Sequence, residues 1–366
     1  MLRKTYAEVD LDCIAHNIRA LRRAAGTPVM AVVKADAYGH GMQAVARRAL
    51  REGVDWFAVA TADEAVALRE VCPGHILLLS AAQEPEAEQA LVRAGVSLCL
   101  YTPAQLDRLE ETCRTLQMPA NIHLKIDTGM NRIGLKTMEE LAVLLDRLRE
   151  SQWVQLEGVF THFATADEAE LSFSCLQLER FLRAVAAVRQ AGFTPICHAS
   201  NSAAIIGLSA AHLDLCRMGI AMYGYAPSGE VDAAALNLRP ALRLVSHITH
   251  VKEIAPGESV SYGRKFTAEK PERIATVAIG YADGYRRAFS NKAAAEWKGQ
   301  LLPVVGRVCM DQCMFLATGT DARAGDEVTL LGRQVTAETL AGYADTISYE
   351  ILTGLTARVP RVYVHA

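Results

Sequence analysis

The sequence predicts an α/β fold: an eight-stranded parallel (β/α) barrel over residues 1–237, followed by a mainly β domain over 238–366. Three observations predict it. The chain has 366 residues, long for a single compact domain. Its first two thirds alternate short apolar or β-branched runs with helical patterns, and eight such runs are the number that closes a barrel. Beyond about residue 238, strand-like alternation and turn residues take over, as in a mainly β domain.

In order, Tyr6 to Leu11 alternates as a short strand, and a helical stretch continues through Arg23. These opening residues, about the first ten, are also candidates to pack with the second domain. The eight strand candidates are Val29–Val33, Trp56–Ala60, Ile76–Leu79, Ser97–Leu100, Ile122–Ile126, Gln155–Phe160, Pro195–His198 and Leu213–Met218. Helical patterns lie between them at Thr61–Val71, Glu86–Ala94, Pro103–Leu116, Met138–Ser151 and Ser172–Gln190. An open doubly wound sheet is the alternative that the same alternation allows. In the second part, strands are expected at Leu242–Val251, Ile274–Ile279, Leu301–Val308, Cys313–Leu316 and Glu327–Leu331, with one helix at Thr336–Tyr343.

Composition narrows the function classes. Hydrophobic residues make up 51% and charged residues 22%, an ordinary globular balance. A net charge of −3 gives no general pull toward nucleic acid or an anionic membrane. No apolar run approaches the roughly 18–20 residues that cross a bilayer, and the N-terminus lacks the apolar core of a signal peptide. A cytoplasmic protein is expected. The nine cysteines form no C-x-x-C pair, and no His completes a set around Cys309 and Cys313, so neither a disulfide framework nor a metal site is expected.

In a barrel, chemistry belongs at the carboxyl ends of the strands. The first strand candidate ends at Lys34, within Ala31-Val-Val-Lys-Ala-Asp-Ala-Tyr-Gly-His-Gly41. A lysine there either snorkels to water or serves as a nucleophilic amine that captures an aldehyde cofactor.

That run resembles the cofactor-lysine motif of the bacterial alanine racemase family. The resemblance continues through His123-Leu-Lys-Ile-Asp-Thr-Gly-Met-Asn-Arg-Ile-Gly134, Thr161-His-Phe-Ala-Thr-Ala-Asp167, His198-Ala-Ser-Asn-Ser202 and Arg217-Met-Gly-Ile220. Ser261-Tyr-Gly263, Gly280-Tyr-Ala-Asp-Gly284, Val308-Cys-Met-Asp311 and Ser348-Tyr-Glu350 extend it into the second domain. The resemblance implies a barrel followed by a β domain, with pyridoxal 5′-phosphate carried on Lys34. Tyr38, Ser202, Gly219, Ile220 and Tyr349 would then hold the phosphate, and Arg217 would face the pyridine nitrogen. It further implies Lys34 and Tyr262 as the two bases, with His162 linking Tyr262 to Arg217. Arg132 and Met310 would be substrate contacts, and Lys125 a lysine that can be carbamylated. A homodimer is implied, in which Tyr262 completes the site of the other subunit.

The substrate implied is a small amino acid, alanine foremost. A serine racemase of the same family is the near alternative, but that branch tends to carry a membrane domain and a smaller residue at the position of Tyr349. A non-catalytic pyridoxal-phosphate carrier would lack the second-domain Tyr262, and a fold-related decarboxylase would lack the matches at Arg217 and Ser261-Tyr-Gly263.

Overall fold

The computed structural model describes residues 3–365. Its contacts divide the chain into two units. One holds Cys13–Ala37 and Met42–Arg239; the other holds the described residues up to Asp12, Tyr38–Gly41, and Pro240 onward.

In chain order the elements begin with β1 (Tyr6–Asp10), α1 (Leu11–Ala25), β2 (Val29–Val32), α2 (Lys34–Gly39), α3 (Met42–Arg51), β3 (Trp56–Val59) and α4 (Ala62–Arg69). Next come β4 (His75–Leu78), α5 (Pro85–Arg93), β5 (Ser97–Leu100), α6 (Pro103–Leu116), β6 (Ala120–Lys125) and α7 (Met138–Glu150). Then β7 (Val154–Phe160), α8 (Ser172–Gln190), β8 (Ile196–His198), α9 (Ser202–Gly207) and β9 (Cys216–Met218) complete the first unit.

Strands β2 to β9 form one parallel sheet in the order β8-β7-β6-β5-β4-β3-β2-β9. No ladder joins β8 to β9, but Arg217 N–H donates to Ser200 O at 3.1 Å across that seam. The sheet is a nearly closed eight-stranded barrel, and the open doubly wound alternative falls. Most of these strands are buried along almost their whole length, which is why they read as short apolar runs rather than alternation.

Helix starts are written locally. Thr61 with Glu64, Thr102 with Gln105 and Thr137 with Glu140 each form a reciprocal capping box at the start of α4, α6 and α7. Each box satisfies two backbone donors that a helix start leaves orphaned.

The second unit contains β10 (Leu242–Ile254), β11 (Ser259–Val260), β12 (Phe266–Thr267), β13 (Glu272–Val277), β14 (Ala294–Trp297), β15 (Gln300–Pro303), β16 (Cys313–Leu316), β17 (Glu327–Leu331), α10 (Ala337–Tyr343), α11 (Ser348–Thr353) and β18 (Arg361–Val364). Its main sheet runs β15-β14-β17-β10-β1-β18, and β13 pairs with β10 and β16. Strand β1 lies between β10, antiparallel, and β18, parallel, so the start of the chain belongs here. The expected strand Leu301–Val308 shortens to β15, an edge strand where Pro303 needs no ladder partner for its nitrogen.

Tyr38–Gly41 fell inside the expected barrel half, yet the contacts group them with the β unit. Their glycines show the reason. A Cβ on Gly39 would lie 2.4 Å from Leu352 O, and the Tyr363 hydroxyl fills the space where a Cβ on Gly41 would stand.

Candidate active site

Lys34 follows the first barrel strand, where Val33 N–H still bonds Ala58 O at 2.9 Å. The chain then turns with the wrong hand. Ala35, Asp36, Ala37 and Tyr38 all have φ between 51° and 54°, so α2 is a left-handed turn built from L-residues other than glycine. At roughly 1–2 kcal/mol per residue, four such residues cost about 4–8 kcal/mol. Side-chain carboxylates hold the turn. Glu64 Oε1 accepts Ala35 N–H at 2.6 Å, and Asp36 Oδ1 accepts Met42 N–H at 2.8 Å. Strain of this size persists where surrounding structure over-determines it, a common property of functional loops. Burial, and then the charge of Arg132, lower the Lys34 pKa, with Glu64 opposing. The amine is biased toward its neutral, nucleophilic form.

Arg217 of β9 is only 4% exposed. By itself this residue reads as a surface ion-pairing arginine; the structure instead seats it in the barrel interior. Its Nη1 donates to His198 Nδ1 at 2.9 Å and His198 O at 3.1 Å. Its Nη2 donates to Thr161 O and Ala199 O, both at 2.8 Å, and meets His162 Nδ1 at 3.3 Å. Among the described residues the protein's bonds to this guanidinium all use Nη1 and Nη2, which leaves Nε–H for a ligand. Burial lowers its pKa to about 10, still a cation at neutral pH. Burial, and then the charge of Arg217, hold His162 well below the usual histidine range. His162 is therefore a neutral imidazole that accepts from Arg217.

Beyond the seventh and eighth barrel strands, backbone donors converge. Ser202 Oγ lies 2.9 Å from Gly219 N and 3.3 Å from Ala221 N, with Ile220 between them. Asn201, rather than Ser202, caps α9: its side chain accepts Ala204 N–H at 3.0 Å. Ser202 is thus free to tie two loops together. Loops in this position are where barrels commonly hold phosphate.

Lys125 ends β6 and is 4% exposed; its Nζ donates to Ile126 O at 2.9 Å. Burial, and then the charge of Arg217, lower its pKa to about 8. An ion pair with Asp127 is a reasonable expectation from sequence, but among the described residues none forms. Asp127 Oδ1 accepts Gly129 N–H and Asn131 N–H instead, both at 3.0 Å, and so folds the loop that carries the exposed Arg132. Buried Gln177 of α8 braces that loop, donating to Thr128 Oγ1 at 3.1 Å and His162 O at 3.2 Å.

The remaining candidates lie in the β unit. Tyr262 and Met310 are 70% and 53% exposed and line one open hollow with Ser261, Cys309, Asp311 and Gln312. Ser261 adopts φ 66°, and its hydroxyl donates to Arg307 O at 2.7 Å, which fixes the backbone entering Tyr262. Gly280 supports the Met310 loop by close approach, since a Cβ there would lie 2.3 Å from the carbonyl oxygens of Cys309 and Met310. Tyr38 and Tyr349 face each other with ring centroids 6.0 Å apart, and burial pushes the Tyr38 phenol up to about 12.

The barrel unit thus gathers Lys34, Arg217, His162, Ser202, Gly219, Ile220, Arg132 and Lys125 in or just beyond the carboxyl halves of its strands. The β unit gathers Tyr262 with Met310, and Tyr38 with Tyr349. Sequence reasoning assigned no role to His123, His198 or Glu157. Two of these were visible as histidines at strand positions otherwise apolar, an inconsistency that itself signals function.

Comparison with known proteins places this architecture. Residues 9–227 match the family model for the N-terminal domain of alanine racemase, and residues 241–363 match that for its C-terminal domain. An alanine racemase of Symbiobacterium thermophilum is 44% identical, over 99% of this chain and 97% of its own length. The crystal structure of alanine racemase from a D-cycloserine-producing Streptomyces lavendulae is similar with a TM-score of 0.94 and 36% identity, covering 100% of this chain and 98% of that one. That of Bacillus anthracis with bound L-Ala-P is similar with a TM-score of 0.93 and 36% identity, covering 100% and 96%. Fold and comparisons together define an enzyme of the amino-acid racemase class, an isomerase. The chain belongs to the alanine racemase family.

Proposed function

We propose that this enzyme interconverts L- and D-alanine with pyridoxal 5′-phosphate, using Lys34 and Tyr262 as bases on opposite faces of the substrate Cα. The observation that carries the reading is the Lys34 amine, shifted toward neutrality by burial and by Arg132 at the mouth of a barrel whose site is otherwise rich in cations.

The residues present fit the cofactor. Lys34 offers a nucleophilic amine for its aldehyde. Ser202 Oγ accepts the Gly219 and Ala221 N–H groups, so its own hydroxyl proton and the Ile220 N–H between them would donate to a phosphate. Arg217 has Nε–H free for the pyridine nitrogen. When bound, the cofactor supplies an electron-withdrawing ring that acidifies the substrate Cα–H. Arg217, a permanent cation, gives that nitrogen a hydrogen bond without accepting a proton, which keeps the ring a moderate sink and disfavours side reactions.

The chain's own groups do the rest. Arg132 holds the substrate carboxylate. Lys34 Nζ takes or returns the proton on one face, and the Tyr262 oxygen does so on the other, with His162 and Arg217 stabilising its phenolate. Lys125 suits carbamylation: with a pKa of about 8, roughly a quarter of it is neutral at pH 7.5 and able to add carbon dioxide. A carbamate there would turn a cation into an anion that positions Arg132, and would appear as density beyond Nζ in a crystal grown with bicarbonate.

Tyr262 and Met310 stand exposed in the single chain. This supports a homodimer in which each β unit completes its partner's barrel site. The nine free thiols support a reducing, cytosolic setting, where D-alanine would feed peptidoglycan synthesis.

Subunit mixing tests the reading, with L-alanine conversion followed by optical rotation. Lys34→Ala and Tyr262→Phe proteins should each be inactive alone. Unfolded together and refolded, half the dimers are hybrids with one intact site in two, so about one quarter of wild-type activity should return. No recovery would place both bases in one subunit, and no racemisation of alanine by the wild type would end the proposal.

A further inference from the structure

Barrel interiors are normally filled by layers of branched apolar side chains. This one carries a polar column through the same space. Glu157 Oε2 lies 3.1 Å from His123 Nε2, His123 Nδ1 lies 2.9 Å from His198 Nε2, and His198 Nδ1 lies 2.9 Å from Arg217 Nη1. Both histidines are fully buried. None of the three residues leading to Arg217 has a part in the proton transfers proposed above.

We propose that Glu157, His123 and His198 form a one-way hydrogen-bond relay that lends Arg217 a remote carboxylate counter-charge and fixes the direction in which its guanidinium points. The inference rests on Arg217 serving the cofactor ring.

The polarity of the relay follows from donor chemistry. Arginine only donates, so His198 Nδ1 must accept. A neutral His198 then carries its proton on Nε2 and donates to His123 Nδ1. The same logic puts the His123 proton on Nε2, donating to Glu157 Oε2. Burial holds His198 well below the usual histidine range and lowers His123 too, in keeping with two neutral rings. Burial opposes ionisation of Glu157, but the hydrogen bonds from His123 and from Ser97 Oγ, the latter at 2.5 Å, together outweigh it and hold the carboxyl below its usual range. Its Oε1 lies 3.4 Å from Asn121 Nδ2 and from His75 Nδ1 at the amino-terminal rim.

The backbone is built to make this contact. The β6–β7 register pairs Ile122 with Leu156 but His123 with Gly158, so Glu157 is an extra residue in β7. Bulges of this kind re-aim a side chain and are uncommon in parallel pairs. The next residue clears the space: a Cβ on Gly158 would stand 2.2 Å from His123 Nδ1. Phe160 stacks on His198 with ring planes 1° apart and centroids 5.0 Å apart, which fixes the second ring.

A buried cation without a counter-charge is costly, and a neutral relay ending in a carboxylate supplies one without placing an acid beside the pyridine nitrogen. Two measurements on the pyridoxal-phosphate-loaded enzyme test this. Nitrogen-15 NMR of histidine-labelled protein at neutral pH, assigned with His123→Gln and His198→Gln, should show both rings neutral with the proton on Nε2. A proton on Nδ1, or on both nitrogens, of either ring would overturn the relay. Glu157→Gln should lower kcat about tenfold with KM within about twofold and the bound-cofactor absorbance retained, the pattern of a lost charge-assisted contact. Glu157→Asp should restore part of the rate. A wild-type kcat in Glu157→Gln would overturn the proposal. Should that variant fail to fold, the tautomers decide alone, and they do so whether or not alanine proves to be the substrate.

Discussion

Replacing Lys125 with methionine should stabilise this enzyme at neutral pH while impairing it. Lys125 is buried, and its pKa falls from 10.5 to about 8, first by burial and then by the charge of Arg217. For a group whose folded pKa is depressed, the favourable contribution is complete above the unfolded value. It is lost as the pH falls from 10.5 through about 8. The gap corresponds to roughly 3 kcal/mol of penalty at neutral pH. Methionine keeps the stem and removes the charge. The one hydrogen bond lost, to Ile126 O, orphans nothing, because the Thr161 hydroxyl still donates to that oxygen at 2.9 Å. Urea unfolding in bicarbonate-free buffer should therefore show Lys125→Met more stable by about 1–3 kcal/mol near pH 7, with the gain shrinking toward zero near pH 10. The same variant should turn over poorly, since the carbamate proposed to position Arg132 can no longer form, an exchange of activity for stability. A variant no more stable than wild type near pH 7, or equally stabilised at both pH values, would refute the reasoning.

Lys34→Ala should abolish both the visible absorbance of bound cofactor and racemisation, whereas Tyr262→Phe should keep the absorbance and slow proton exchange from L-alanine by at least about 100-fold. Exchange at the wild-type rate in Tyr262→Phe, followed by loss of deuterium from Cα, would remove that tyrosine as a base. Gly158→Ala forces a methyl to within 2.3 Å of two atoms of a buried ring and should cost about 1–3 kcal/mol, read as a lower urea midpoint. Wild-type stability in that variant would mean the His123 ring can move aside.

The barrel was legible because its information is local. Parallel strands buried along their length leave apolar runs such as Phe57–Val59, and the Thr-x-x-Glu boxes at Thr61 and Thr137 mark helix starts without reference to anything distant. Lys34 stood out for a related reason, as an amine closing an apolar strand. What stayed hidden depends on distant partners. Strand β1 pairs with β10 and β18, more than 200 residues away; the opening residues were candidates to pack with the second domain, but no local pattern declares which strands they join. The strand β14, between β15 and β17, went unseen because Ala294–Trp297 is too short to show a period. Ala35 to Tyr38 carries no glycine, so nothing in it announces a left-handed turn. The depth of Arg217 and the inward aim of Glu157 are consequences of barrel closure and of a bulge, and neither has a signature in neighbouring residues.

The turn after Lys34 also bears on chirality. A backbone angle near +52° is the disfavoured hand for L-amino acids and, by mirror symmetry, the favoured hand for their D-counterparts. A semisynthetic chain carrying D-alanine in place of the exposed Ala35 would relieve that local strain. The loop that presents Lys34 is thus shaped, at that position, for the enantiomer the enzyme is proposed to make, although ribosomal synthesis supplies only the other.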